Sequence, residues 1–184
     1  MRNDTGNYQS DYESQNFRNF HLNLNKNFTN MLSGIISRTH LLMLSTFSYA
    51  QKVRVYGSNN VFDSLCRQYF SLSNSVQRLI GQINDNGIDT SHIYNNLTRL
   101  SEIDNSREND ETFSEAAILN TLIDSHQILI KYIDENFNIT TSKMSSRACS
   151  IVFERLNDHR HMIRELLRVK NELEKTLVFK SQLN

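Results

Sequence analysis

Residues 28–56 read FTNMLSGIISRTHLLMLSTFSYAQKVRVY, and the apolar members Phe28, Met31, Leu32, Ile35, Ile36, Leu42, Met43 and Phe47 return mostly at three- and four-residue steps. Side chains at that spacing share one face of an α-helix. The run predicts a helix of roughly 30 residues that ends near Arg54. Gly57-Ser58-Asn59-Asn60 supplies the break. A second stripe follows at Phe62, Leu65, Tyr69, Leu72, Val76, Leu79, Ile80 and Ile83. It stops at Asp85-Asn86-Gly87, where glycine can take the left-handed C-cap.

Beyond a polar stretch, Ala117, Ile118, Leu122, Ile123, Leu129, Tyr132 and Ile133 predict a third helix over about 113–135, capped by Asp110 or Thr112. Asn136-Phe137-Asn138 reads as a turn, and Thr141 or Ser142 as the cap of a fourth helix. Its inner positions are Met144, Ala148, Ile151, Val152, Leu156, Met162, Ile163 and Leu166, with fraying after Leu173. Between helices two and three, residues 91–97 read as a short helix and 101–110 as loop. A connection of about 25 residues is longer than an up-down bundle needs, and lets helix three run parallel to helix two. The predicted fold is therefore all-α: a ferritin-like four-helix bundle with a long crossover carrying a short helix.

Composition agrees. The chain of 184 residues has no proline and five glycines, which favours long helices. Ten phenylalanines, seven tyrosines and a 38 % apolar content can fill one core. Residues 1–22 are rich in Asn, Asp, Ser and Gln without a steady period and read as a flexible polar arm. The bundle is assigned to 23–174 and a short tail to 175–184.

Twenty basic and twenty acidic side chains cancel, so the chain as a whole is no general polyanion binder. The arginines and lysines of helix four alternate with Glu154, Asp158, Glu165, Glu172 and Glu174, as on a salt-linked helix surface. DNA is not the expected partner, and neither is a membrane, since no run is long and apolar enough to span one. Cys66 and Cys149 form no zinc spacing and read as reduced thiols. With no apolar leader at Met1-Arg2-Asn3-Asp4, the expected compartment is the cytoplasm.

Three stretches resemble the Dps family, the miniature relatives of ferritin that protect DNA in starved bacteria. Val53-Arg54-Val55-Tyr56-Gly57 with Asn60, Phe62 and Leu65 is similar to its His-Trp-Asn-Val-x-Gly and Phe-x-x-Leu-His region. Leu122-Ile123-Asp124-Ser125-His126 resembles its third-helix Asp-His stretch. Thr141, Arg155, His159 and Arg164, with Met162 and Leu166, resemble its fourth-helix pattern, although this chain lacks the family's tryptophans. The resemblance implies a homo-oligomer, at its fullest a hollow dodecameric shell. It also implies iron storage and stress protection, with ferroxidase sites of histidines and carboxylates across twofold interfaces.

Those ligand positions carry other chemistry here. The first-helix histidine falls at Lys52, the second-helix histidine at Cys66 and the carboxylate after it at Phe70. The further carboxylates fall at Gln77 and Gly81, or at Gly81 and Asp85 under a looser alignment. An ammonium repels ferrous iron, a phenyl ring offers no lone pair, and one thiol lacks the hard oxygen ligands the oxidation needs. The resemblance then implies a structural or storage shell subunit with a degenerate ferroxidase site, no catalytic residues and no resident cofactor. Co-assembly with an active relative is open to such a subunit. The alternative is an iron-oxidising, iron-storing miniferritin with an unconventional metal site, in which iron is bound and DNA can be a partner.

Substitute sites are few. Asp85, Asp89 and His92 surround a turn and form a weak metal candidate, with a solvated loop as the plainer reading. Asp134 and Glu135 are weak candidates for a cation-guiding pore, against the reading of a solvated helix end. Asp124 and His126 are two apart and cannot share a helix face. His126, between Ile123 and Leu129, reads as a buried hydrogen-bonding histidine. His159 reads as a core histidine bonded to a carboxylate or to backbone, and His161 as surface.

Overall fold

A computed structural model describes residues 7–85, 114–140 and 146–182, with side chains described over most of 28–81, 114–138 and 146–178. The described residues form four helices: α1 (Asn7–Tyr56), α2 (Asn59–Asp85), α3 (Glu115–Thr140) and α4 (Ser146–Gln182). The expected short helix over 91–97 lies outside the described residues, as do Asp89, His92, Thr141 and Ser142.

The helices form an antiparallel-packed four-helix bundle. Helix α1 lies against α2 and α3, and α4 against α2 and α3. Contacts fix the directions. Ser58, where α1 gives way to α2, meets Glu115 at the start of α3. Asn60 near the start of α2 meets Glu172 near the end of α4. Each neighbouring pair therefore runs antiparallel. The end of α2 and the start of α3 lie at opposite ends of the bundle, so these two run the same way.

The boundaries follow local chemistry. The Gly57 N–H donates to the Val53 carbonyl at 2.7 Å and closes the last turn of α1. The Ser58 carbonyl accepts from Phe62 N–H at 3.0 Å and opens α2. Ser114 caps α3: its Oγ accepts from Ala117 N–H at 3.3 Å and its carbonyl from Ile118 N–H at 3.0 Å. The expected caps, Asp110 and Thr112, precede the residue that does this work. Helix α3 also runs through the expected turn at 136–138, because Phe137 is drawn into the core. Helix α1 starts at Asn7, so most of the expected arm over 1–22 is helical, and α4 continues past Leu173 to Gln182. Between Asn7 and Phe28 there is neither proline nor glycine, and polar residues cost a helix only tenths of a kcal/mol each, roughly 0.7 at most.

The core has two apolar halves. One, towards the α1–α2 turn, holds Leu42, Val53, Leu65, Leu119, Leu122 and Leu166 among others. The other, towards the opposite end, holds Leu32, Ile35, Leu79, Ile133, Val152 and Leu156 among others. Full burial of such side chains contributes roughly 1.5–3 kcal/mol each. Where the halves meet, buried polar residues interrupt the stripes. Thr39 falls between Ile36 and Leu42, Ser75 between Leu72 and Val76, His126 between Ile123 and Leu129, and His159 between Leu156 and Met162.

One side chain ties three helices at the turn. The Glu115 carboxylate accepts from Ser58 N–H at 2.6 Å and from Ser58 Oγ–H at 2.8 Å. A Cβ at residue 57 would stand 2.6 Å from the same oxygen, so any larger residue there would push the Glu115 carboxylate off its clamp. Glu115→Ala is expected to lower the unfolding free energy by about 1–3 kcal/mol, through the loss of two charge-assisted hydrogen bonds. Urea unfolding followed by circular dichroism measures this, with Ser58→Ala expected to cost less because it keeps the backbone bond.

Candidate functional site: a buried histidine pair and an exposed aromatic face

The interruption in the core is a connected hydrogen-bond chain. Gln68 on α2, His126 on α3 and His159 on α4 are all buried. The Gln68 Nε2 donates to the Met162 carbonyl at 3.0 Å. That carbonyl can only accept, which fixes the amide orientation and leaves Gln68 Oε1 facing His126 Nε2 at 3.3 Å. His126 therefore carries its proton on Nε2, and its Nδ1 is a bare acceptor. His159 Nδ1 lies 2.9 Å from that atom and must be the donor. The proton order of the chain is thus set from one end. At the other end His159 Nε2 is left as a buried lone pair with no hydrogen-bond partner among the described residues.

Both rings are held neutral. Burial lowers the His126 pKa to about 4. Burial first, then the neighbouring His126 and the Arg155 guanidinium, lowers that of His159 to about 3. The expected carboxylate or backbone partner of His159 is replaced by His126, since the Asp158 carboxylate next in sequence turns to Arg155.

Arg155 was grouped by sequence with a charged helix surface, yet it is 0 % exposed. Its NH1 donates to Ser75 Oγ at 2.6 Å. The charge is balanced by Asp158 at 3.0 Å and Glu154 at 2.9 Å, and Glu154 also pairs with Arg78. Proximity to Glu154 is not a hydrogen bond, because Arg155 Nε and NH2 both remain without one. Helical phase carried the missed signal. Arg155 stands three residues after Val152 and four before His159, on the buried stripe. Gln68, between Leu65 and Leu72, was missed for the same reason.

The positions matching the family's iron ligands lie elsewhere. Cys66, Phe70, Gln77 and Gly81 fall on one stripe of α2 by their spacing. Phe70 is 64 % exposed, Gln77 and Gly81 are exposed, and Cys66 is half-buried with a free thiol. Lys52 is half-buried on α1, and Asp85 ends α2. What this face gathers is aromatic. Phe47 on α1 packs on Tyr69 with ring centroids 5.4 Å apart, and Tyr69 packs edge-on to Phe70 at 5.4 Å. Phe47 is itself 48 % exposed.

Among the described residues, no three His, Cys, Asp or Glu side chains converge as a metal site, and no helix is long and apolar enough to cross a membrane. The pore candidates are each near a cation: Glu135 lies 3.9 Å from Lys131, and Asp134 4.0 Å from Arg160. His161 is exposed, as its sequence context predicts.

Gln68→Leu keeps the volume but strands His126 Nε2–H and takes one donor from the Met162 carbonyl, at an expected cost of about 2–3 kcal/mol. Arg155→Met removes the two unpartnered donors, leaves Glu154 paired with Arg78 and leaves the part-buried Asp158 without its cation, and is expected to cost less, about 1 kcal/mol. Denaturant unfolding of both variants checks the contrast.

No family model, curated protein or solved structure matches this chain.

Proposed function

We propose that the chain is a ferritin-like, Dps-like subunit that builds a closed homo-oligomeric shell, a structural or storage part without the family's iron oxidation. The observation that carries this reading is the exposed aromatic cluster of Phe47, Tyr69 and Phe70 along α1 and α2. Its place is telling. Phe70 belongs to the same α2 stripe as Cys66, Gln77 and Gly81, where the resemblance would put ligands. An apolar ring in place of a carboxylate favours a dry contact over a hydrated cation.

The directions of the helices support the ferritin-like reading, because α2 and α3 run the same way on opposite corners of the bundle. Neutral net charge removes a barrier to packing copies together. An aromatic side chain taken fully from water contributes roughly 1.5–3 kcal/mol, and a half-exposed one proportionally less. A twofold contact counts each ring twice.

Phe70→Lys tests this at a solvent-facing position, where effects on folding are usually within about 0.5 kcal/mol. Light scattering after gel filtration should show the parent as an oligomer and the variant as smaller species of unchanged helicity. A monomeric parent, or a variant of unchanged mass, would overturn the assembly reading. The second half of the proposal is tested with anaerobic ferrous iron and peroxide. Oxidation should run no faster with the protein than with buffer alone, and a protein-dependent acceleration would favour the iron-oxidising alternative.

A further inference from the structure

The chain of bonds through the bundle centre leaves no comfortable place for another proton. His126 Nε2–H is committed to Gln68, and His126 Nδ1 to the hydrogen on His159. A proton added to His126 Nδ1 would set two N–H groups against each other across 2.9 Å and break the link between α3 and α4. A proton added to the free His159 Nε2 would create an imidazolium inside the core. Among the described residues, the charged group of the core near it is the Arg155 guanidinium, another cation.

Among the described residues, none of the four helices offers an unpaired anion to offset that charge. The buried polar side chains of α1 are Thr39 and Thr46, whose hydroxyls donate to the Ile35 and Leu42 carbonyls of their own helix. Helix α2 offers the neutral Ser64, Gln68 and Ser75, and α3 offers His126 itself. On α4, Glu154 and Asp158 stand at the edge and are already paired with Arg155. The fully buried members of the apolar halves on either side carry no titratable group; Tyr132 and Cys149 pack against one half and Tyr49 against the other, and none of them supplies an anion at neutral pH.

We propose that the His126–His159 pair makes this bundle acid-opened: protonation at its centre parts α4 from α2 and α3, and the fold is lost cooperatively in mild acid. The direction follows from linkage. Both histidines titrate lower in the folded chain than the ordinary 6.5, so the unfolded chain binds more protons once the pH drops below that value. Their contribution is complete above about pH 6.5 and declines as the pH falls towards 4. At pH 5 each histidine should raise the unfolding constant about 30-fold, or about a thousandfold for the pair. Asp158 acts with the opposite sign at lower pH, because burial raises its pKa and the folded state holds its proton more tightly.

The test uses the full chain. Long-range proton–nitrogen NMR at pH 7.5 should show His126 protonated on Nε2 and His159 on Nδ1. On acidification towards pH 5 neither folded-state signal should titrate, while unfolded signals grow. Urea unfolding at pH 7.5 and 5.0 should give a change about 30-fold larger for the parent than for His159→Asn, whose amide can still donate to His126. The half-buried His40, whose pKa burial also lowers, acts with the same sign and adds equally to both. Folded-state titration of either ring near pH 6.5, or an equal pH effect in the variant, would overturn the proposal. If that variant does not fold, the parent's NMR titration decides alone.

Discussion

A buried polar group needs a partner, and this bundle meets that demand with one chain of hydrogen bonds across three helices. The Met162 carbonyl, Gln68, His126 and His159 bind α2, α3 and α4 at one level. A slide of any of these helices by one turn would put a donor or acceptor against hydrocarbon, at a cost of about 1–3 kcal/mol for each stranded group. The apolar halves above and below tolerate small shifts far better. Helix α1 takes no part in the chain. Its threonines bond to their own backbone, so it is held mainly by packing, by the Glu115 clamp on the adjoining turn and by Arg38 over the Tyr132 ring at 4.4 Å.

The centre of the bundle is therefore specified by neutral imidazoles and a guanidinium where a metal centre would need convergent anions. Arg155 brings a full positive charge into the core, held by Ser75 and by carboxylates at the rim. Such an arrangement gives register more readily than net stability, since a desolvated ion pair roughly breaks even against apolar packing. A four-helix bundle does not dictate a chemistry, because chemistry resides in the residues placed on the scaffold.

Much of this was legible in the sequence. Three- and four-residue spacing located all four helices and put His126 in the core between Ile123 and Leu129. It was less informative where one side chain outweighs local pattern. Phe137 looked like part of a turn between two asparagines, but its burial carries α3 onward. Ser114 was passed over as a cap in favour of Asp110 and Thr112, which have equal intrinsic preference; the choice depends on where the backbone turns. Arg155 was read by residue type, and Gln68 was not singled out, although the helical phase of both points inward. The pairing of His126 with His159 joins residues 33 apart and depends on the register of two helices, which no local spacing encodes. On the outer face, the stripe from Cys66 through Phe70 and Gln77 to Gly81 was fully readable, because exposure on α2 follows its period.

The proposed shell depends on α1 and α2 presenting a dry, aromatic contact face in place of a metal-binding one. Cryo-electron microscopy of the protein incubated anaerobically with ferrous iron tests it most directly. Closed particles are expected in which Phe47, Tyr69 and Phe70 of neighbouring subunits pack together, with no metal density beside Lys52, Cys66 or Gln77. Separate bundles without shells, or metal density at that face, would contradict it.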